Sequence, residues 1–273
     1  MSKALVSSLV LFVALAFANA ASGSPTGPKK PPLQLPVSQL AQATSAISAA
    51  HAPNGCGALS EENVRSGPTP GSWYRITSAD QAAAKSSGQT IMEQVFGANA
   101  ENVLRATRLD GEWIVPRIFV CVPIMPAGAT VWTPLPSTYA PARGHAKFIL
   151  VNLEEQFLGA YEDGRLVASF PVSTSKYRSG KITPVGEFQV LGKDWNHQSS
   201  VYQLPDGRPC PMPHALKFYQ TKRRGGGAMW AHQGTLPGRP ASHGCVRLGD
   251  KTSQWLYKWA AVGTPFHVVP SLK

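Results

Sequence analysis

The chain has 273 residues, which exceeds the length of one ordinary small domain, and 43% of the residues are hydrophobic, which is enough for a core. Two folded units are therefore expected. Lys and Arg exceed Asp and Glu by 26 to 15, and the excess is uneven: residues 1–145 carry +3 and residues 146–273 carry +8. A basic surface favours an anionic partner, but no nucleic-acid recognition motif accompanies the charge, so nucleic acid is not an expected partner.

The amino terminus has the pattern of a secretory signal peptide. Met1-Ser2-Lys3 is a short basic start, residues 4–17 are apolar, and Ala18-Asn19-Ala20 is a small-x-small cleavage site. We therefore predict a signal peptide over residues 1–20 and an exported mature chain, located in the periplasm or cell envelope. An uncleaved anchor is the alternative, and no later apolar run is long enough for a membrane span.

Residues 21–72 are rich in Pro, Ser and Ala, which is typical of a linker or tail, with one short helix possible at residues 38–51. Residues 73–126 then predict a small α+β module. Its expected elements are a strand at 73–77, helices at 81–96 and 99–107, and a closing strand at 112–122. Five prolines between 123 and 141 indicate a stiff linker, placed at 127–145.

Residues 146–270 predict a second, mainly β domain. Strands are expected at 147–151, at 156–161 and, after a Glu-Asp-Gly turn, at 165–172. A Thr-Pro-Val-Gly-Glu-Phe turn at 183–188 leads into another strand, and residues 264–269 form the last one. Asp250 is a plausible N-cap of a helix that ends before Gly263, with its apolar residues, Trp255 and Trp259 among them, expected in the core.

A thiol and two imidazoles come together late in the sequence. His232 lies in Ala-His-Gln-Gly-Thr, and after a Pro/Gly-rich loop, residues 242–248 read Ser-His-Gly-Cys-Val-Arg-Leu. An imidazole that takes the proton of a cysteine produces the reactive thiolate, and Gly244 lets the backbone approach a substrate. The expected chemistry is nucleophilic catalysis by Cys245.

This motif, with the Thr-Pro-x-Gly-x-Phe turn upstream, resembles the signature of L,D-transpeptidase catalytic domains of the YkuD type. The resemblance implies a YkuD-like β-sandwich with a short helix, Cys245 as nucleophile and His232 as proton acceptor and donor. It assigns Ser242, His243 and Gly244 to the shape of the site and Arg247 to a substrate carboxylate. The nine residues between His232 and Ser242 are fewer than in many members.

The same resemblance implies a reaction on peptidoglycan. Cys245 would attack the amide before the terminal D-alanine of a tetrapeptide stem, release D-alanine, and pass the acyl group to an amine of another stem or of an envelope protein. No cofactor or metal is required. The small module, through its β-α-α-β order, resembles a LysM domain that binds glycan strands, although Ser78-Ala79-Asp80-Gln81 stands where Gly-Asp-Thr-Leu is expected.

Three alternatives remain open at this level. The same Cys and His could serve a wall-peptide hydrolase or carboxypeptidase, or the chain could be a non-catalytic peptidoglycan-binding wall protein. A zinc site using His232, His243, Cys245 and His214 is a third, disfavoured because the short His-x-Cys spacing makes joint ligation awkward.

The cysteines give a further constraint. If Cys245 stays reduced, Cys56, Cys121 and Cys210 remain, an odd number for an oxidising compartment. Cys56 with Cys121 is one possible disulfide, and Cys210 with either of them is another. Residues 222–227, Lys-Arg-Arg-Gly-Gly-Gly, are expected to form a loop.

Overall fold

The computed structural model describes residue 56 and residues 59–175, 182–221 and 227–272. The predicted signal peptide, the possible helix at 38–51 and nearly all of the expected loop at 222–227 lie outside these residues. Within them, no helix is both long and apolar enough to cross a membrane.

The amino-terminal module is a three-stranded sheet with helices packed on it. Strand β1 (Val64–Arg65) runs parallel to β2 (Ser72–Arg75), which pairs antiparallel with β3 (Phe119–Val122). The described part of the expected tail is therefore folded: residues 59–72 supply β1 and the start of β2. Cys56, disulfide-bonded to Cys121, links this segment to β3, so one of the three pairings left open by the sequence is the observed one.

The helix predicted at 81–96 is in fact two helices, α1 (Ser78–Ser87) and α2 (Ile91–Phe96). Gly88 adopts a left-handed conformation with φ of 71° and ends α1, because a residue without Cβ takes that conformation at little cost. Thr90 and Glu93 then form a capping box that starts α2. Helix α3 (Ala100–Thr107) agrees with the prediction to within one residue.

The predicted closing strand is shorter than expected. Residues 111–113 form a 3₁₀ turn, and the strand begins only at Phe119. Helix α3 packs on β3, and its Thr107 hydroxyl accepts a hydrogen bond from the Cys121 N–H at 2.9 Å.

The carboxy-terminal half is a β-sandwich, as the sequence predicted. One sheet has the order β6-β5-β4-β14-β7 and the other the order β13-β12-β11-β8. Their apolar inner faces form one core, in which Phe218 and Phe266 stack with ring centroids 4.4 Å apart. The strands of the first sheet are β4 (Phe148–Asn152), β5 (Phe157–Glu162), β6 (Arg165–Pro171), β7 (Gly186–Gln189) and β14 (Pro265–Val269).

The second sheet carries the residues of greatest chemical interest. It comprises β8 (Gly192–Asp194), β11 (Ala215–Gln220), β12 (Ala228–Gln233) and β13 (Val246–Leu248). A separate hairpin, β9 (Gln198–Gln203) with β10 (Pro209–Pro211), is inserted between β8 and β11.

Helix α4 (Asp250–Trp259) begins after Gly249, so Asp250 is its first residue and not its N-cap. The helix ends earlier than predicted, at Trp259, and lysine side chains satisfy the carbonyls at its end: Lys147 donates to Trp259 and Lys193 to Ala260. Leu256 is fully buried, but Trp255 is 37% exposed, so the expectation that the aromatic residues of this helix lie in the core was wrong for Trp255.

The proline-rich segment at 127–145 is packed against both halves of the protein. Trp132 and Leu135 are buried in a cluster with Trp73 of the small module and Phe157 of β5. Arg105 of α3 donates to the Trp132 carbonyl at 2.9 Å and to the Ser169 hydroxyl of β6 at 2.8 Å. The described residues from 59 onwards accordingly belong to one compact unit, and the segment does not hold the two halves apart.

Candidate active site

Two parallel strands position the histidine and the arginine of the motif. Strand β12 pairs with β13 so that His232 stands opposite Arg247, while Ala231 stands opposite Val246. Ala231 and Val246 are buried in the core between the sheets. Because side chains alternate along a strand, His232 and Arg247 share the other face of the sheet.

His232 has a defined hydrogen-bonding arrangement. Its Nδ1 lies 2.6 Å from the carbonyl oxygen of Gln233, which can only accept, so Nδ1 carries the hydrogen and Nε2 keeps its lone pair. Burial lowers the pKa of His232 to about 4, opposed by the Gln233 hydrogen bond and reinforced by the positive charge of Arg247. The imidazole is therefore neutral near pH 7 and able to accept a proton at Nε2.

Arg247 lies close to two thiols. Burial lowers its pKa, whereas Cys245 and Cys210 act in the opposite direction, which means that both interact electrostatically with the guanidinium. Neither cysteine is disulfide-bonded in the part of the chain that the structure describes, and both are half-buried.

Gly234 makes room for the Arg247 side chain. A Cβ at this position would stand 2.9 Å from Cγ of Arg247 and 3.0 Å from Cδ. The His-x-Gly-Thr sequence therefore needs a glycine at residue 234, because any side chain there would collide with the aliphatic part of Arg247 and displace it.

The segment before Cys245 is a tight, internally bonded turn. The buried Ser242 hydroxyl donates to the Cys245 carbonyl at 2.6 Å and accepts from the Gly244 N–H at 3.2 Å. Gly244 has φ of 120°, and a Cβ there would stand 2.6 Å from the sulfur of Met229. A side chain is excluded at residue 244 by both conformation and space, and the Gly244 N–H is directed at Ser242.

Hydrogen bonds to Thr174 hold this turn in place. Its carbonyl accepts hydrogen bonds from the N–H groups of Ala241 (2.9 Å) and Ser242 (2.8 Å). The side chain of Gln156, which has φ of 50°, closes on Thr174 from the other side: Oε1 accepts from its N–H at 2.9 Å and Nε2 donates to its hydroxyl at 2.7 Å. Sequence reasoning missed both residues, because nothing in their spacing relates them to residue 242.

The hairpin β9–β10 approaches the site from outside the sheet. The Tyr202 ring lies 4.8 Å from that of His243, which is exposed, and His197 stacks on Trp230 of β12 at 3.9 Å. Cys210 belongs to β10 of the same hairpin. No local pattern in the sequence indicates this approach.

The zinc alternative included His214, which the structure places elsewhere. His214 is buried, its Nδ1 lies 3.0 Å from the Ser253 hydroxyl of α4, and its ring packs edge-to-face against Trp195. Among the described residues, no group of three or more His, Cys, Asp or Glu side chains is arranged to hold a metal ion.

The six residues singled out in the sequence lie on β12, on β13 and on the turn that precedes β13. His232 and Arg247 face each other on adjacent strands, and the turn of Ser242, His243, Gly244 and Cys245 leads directly into β13.

Comparison with known proteins identifies the domain. Residues 146–268 match the family model of the YkuD type, described as the L,D-transpeptidase catalytic domain. No curated protein sequence matches the chain.

Solved structures of several L,D-transpeptidases are similar to part of the chain. One from Xylanimonas cellulosilytica is 29% identical, with 48% of this chain and 63% of that one covered, at a TM-score of 0.38. One from Mycobacterium smegmatis is 22% identical, with 45% and 58% covered, also at 0.38. The chain thus spans about three fifths of the length of these two structures. The family match therefore covers residues 146–268, fewer than half of the chain, and over these residues the chain is similar to the L,D-transpeptidase catalytic domain of the YkuD type.

Proposed function

We propose that this protein is an exported cysteine L,D-transpeptidase that acts on the tetrapeptide stems of peptidoglycan. The observation that carries the proposal is the pairing of a neutral His232, with Nε2 available, against Arg247 on the strand that Cys245 precedes. A base, a cation and a thiol on one face of a sheet are what acyl transfer through a thioester needs.

The first half of the reaction forms the acyl-enzyme. His232 Nε2 takes the thiol proton, and the Cys245 sulfur attacks the carbonyl carbon of the amide that precedes the terminal D-alanine. The amide C–N bond breaks and His232 returns the proton to the departing D-alanine nitrogen. The Gln233 carbonyl, already bonded to Nδ1–H, stabilises the transient imidazolium.

The second half transfers the acyl group. An amine attacks the thioester carbon, loses a proton to His232, and the Cys245 sulfur leaves and recovers that proton. The amine belongs to another stem, which gives a crosslink, or to a side chain of an envelope protein. Water in place of the amine would give the carboxypeptidase reaction.

Arg247 and the surrounding charge favour an acidic substrate. Arg247 follows Cys245 by two residues and interacts with it electrostatically, and we propose that its guanidinium holds a stem carboxylate by a charge-assisted hydrogen bond. The net +8 of residues 146–273 supports an anionic partner in general.

We further propose that the amino-terminal module, residues 73–126, is a LysM-like domain that binds glycan strands. A cavity of about 1120 Å³ between α1, α2 and α3 supports this proposal. Polar side chains, including Gln81, Lys85 and Gln89, line it together with the apolar Ile91 and Met92. Retention of the mature protein on purified glycan strands, lost on Gln81→Ala with Lys85→Ala, is the test.

The catalytic proposal is tested by incubating the mature protein with tetrapeptide muropeptides and analysing protein and soluble products by mass spectrometry. The expected result is release of D-alanine, an acyl adduct on Cys245, and a crosslinked product. Cys245→Ser should abolish all three, because a hydroxyl is a far weaker nucleophile than a thiolate.

Cys210→Ser is the matched control, since it removes the other half-buried thiol near Arg247. Its activity should equal that of the unmodified protein. Hydrolysed stems without crosslinks would select the hydrolase, and absence of any reaction by folded protein would favour a wall-binding role.

A further inference from the structure

The amino-terminal module pairs directly with the segment that joins the two halves of the active-site motif. Residues 234–241 run from β12, which carries His232, to Ser242. Within them, Leu236 exchanges two hydrogen bonds with Asp110: the Asp110 N–H donates to its carbonyl at 3.0 Å, and its N–H donates to Oδ2 of Asp110 at 2.6 Å. The Gly238 N–H donates to the Arg108 carbonyl at 3.1 Å.

The turn that makes these contacts is itself held rigidly. Arg108 has φ of 60°, a left-handed conformation that non-glycine residues adopt rarely, and its side chain is buried. It donates to the Ala106 carbonyl at 2.6 Å, to the Glu155 carbonyl at 2.6 Å and to the Glu155 carboxylate at 3.0 Å. Those three bonds fix the direction in which Leu109 and Asp110 leave helix α3.

Through Glu155, the same arginine is connected to the residues that bind the turn before Cys245. Glu155 is followed by Gln156, whose side chain grips Thr174, and the Thr174 carbonyl binds Ala241 and Ser242. Segment 234–241 is therefore held by hydrogen bonds at two places. Asp110 and Arg108 of the amino-terminal module bind residues 236–238, and Thr174 binds residues 241 and 242.

We infer that Asp110, together with the Arg108 turn, is a positioning element of the active site that sets segment 234–241 and thereby the alignment of His232 with Cys245. The inference rests on the proposed function. Asp110 acts through Leu236 and touches no reacting atom, so it is a positioning residue.

The Asp110 carboxylate is desolvated and accepts the Leu236 N–H. Burial raises the pKa of Asp110 to about 6, with Glu112 acting in the same direction and the Leu236 N–H opposing it. An apolar side chain would avoid this desolvation but could not accept the Leu236 N–H, which lies in a buried residue. The acceptor oxygen is thus the feature that the segment requires.

Three variants test the inference: Asp110→Leu removes the acceptor at similar size, Asp110→Asn keeps an oxygen acceptor, and Asp80→Ala is the matched control. Asp80 caps α1 in the same module through Thr77, so its loss weakens that module without a contact to segment 234–241. The measurements are hydrogen–deuterium exchange of the 234–241 peptide, the alkylation rate of Cys245, and kcat and KM.

For Asp110→Leu we expect exchange in 234–241 to rise and kcat to fall about tenfold, the equivalent of one hydrogen bond, with KM within about twofold. Asp110→Asn should restore both, and Asp80→Ala should change neither. Unchanged exchange in Asp110→Leu, or an equal loss of kcat in Asp80→Ala, would overturn the inference.

The two proposals fail separately. If the unmodified protein shows no turnover, the proposed function fails, while exchange of 234–241 and alkylation of Cys245 still report positioning. If turnover is present and the Asp110 variants behave alike in all three measurements, only the positioning role fails.

Discussion

His232 and Asp110 should give the stability of this protein two opposite pH dependences over the same range. Burial lowers the pKa of His232 from 6.5 to about 4 and raises that of Asp110 from 3.8 to about 6. The folded state therefore disfavours the charged form of each group, which is the acidic form of histidine and the basic form of aspartate.

The signs follow from proton linkage. Below pH 6.5 the unfolded chain protonates His232 and the folded protein does not, so this contribution is complete above pH 6.5 and is lost as the pH falls towards 4. Above pH 3.8 the unfolded chain ionises Asp110 before the folded protein does, so its contribution is complete below pH 3.8 and is lost as the pH rises through about 6.

The two contributions to the free energy of unfolding differ in size as well as in sign. Between pH 7.5 and pH 5 the free energy of unfolding loses about 2 kcal/mol through His232 and gains on the order of 1 kcal/mol through Asp110, which is less buried. The two changes partly cancel, so the unmodified protein should show a shallow pH dependence that conceals them.

Urea unfolding at pH 7.5, 6 and 5 of the unmodified protein, His232→Gln and Asp110→Asn separates the two groups. Relative to the unmodified protein, His232→Gln should gain stability on acidification, by about 2 kcal/mol at pH 5. Asp110→Asn should lose more than the unmodified protein does. A His232 variant with the same slope as the unmodified protein would refute the assignment of a buried neutral imidazole, and an NMR titration of His232 would check it directly.

Two further predictions concern groups near the site and in the module. Gly234→Ala should displace Arg247 and lower kcat/KM, whereas Gly192→Ala, where a Cβ meets nothing within 4 Å, should leave steady-state kinetics unchanged. Reduction of the Cys56–Cys121 disulfide, which spans 65 residues, should lower the free energy of unfolding by up to about 4 kcal/mol in a reductant-controlled urea titration.

The residues of the candidate active site could be singled out from the sequence because they are almost entirely local. His232 and Arg247 are fifteen positions apart in the sequence, and residue type alone identifies the thiol, the base and the cation. The strands of the first sheet were predictable for a related reason: their apolar runs and the Glu-Asp-Gly turn are local signals, and β4, β5, β6 and β14 begin within one residue of the prediction.

Helix ends were less predictable because they depend on single residues or on distant partners. Gly88 was overlooked as the end of α1, although a glycine followed by Thr90 and Glu93 is a local stop-and-start signal. The end of α4 had no such signal, since the lysines that bind its last carbonyls come from residues 147 and 193.

The dependence of the site on the amino-terminal module was the least predictable feature. A buried Arg108 in a left-handed conformation is informative only when its partner is known, and Glu155 lies 47 residues away. Prolines at 123–141 favoured a stiff spacer, but Trp132 and Leu135 among them are apolar enough to pack, and their burial against Phe157 joins the two halves. A module expected to bring the enzyme to its substrate is therefore also part of the frame that holds segment 234–241 in place.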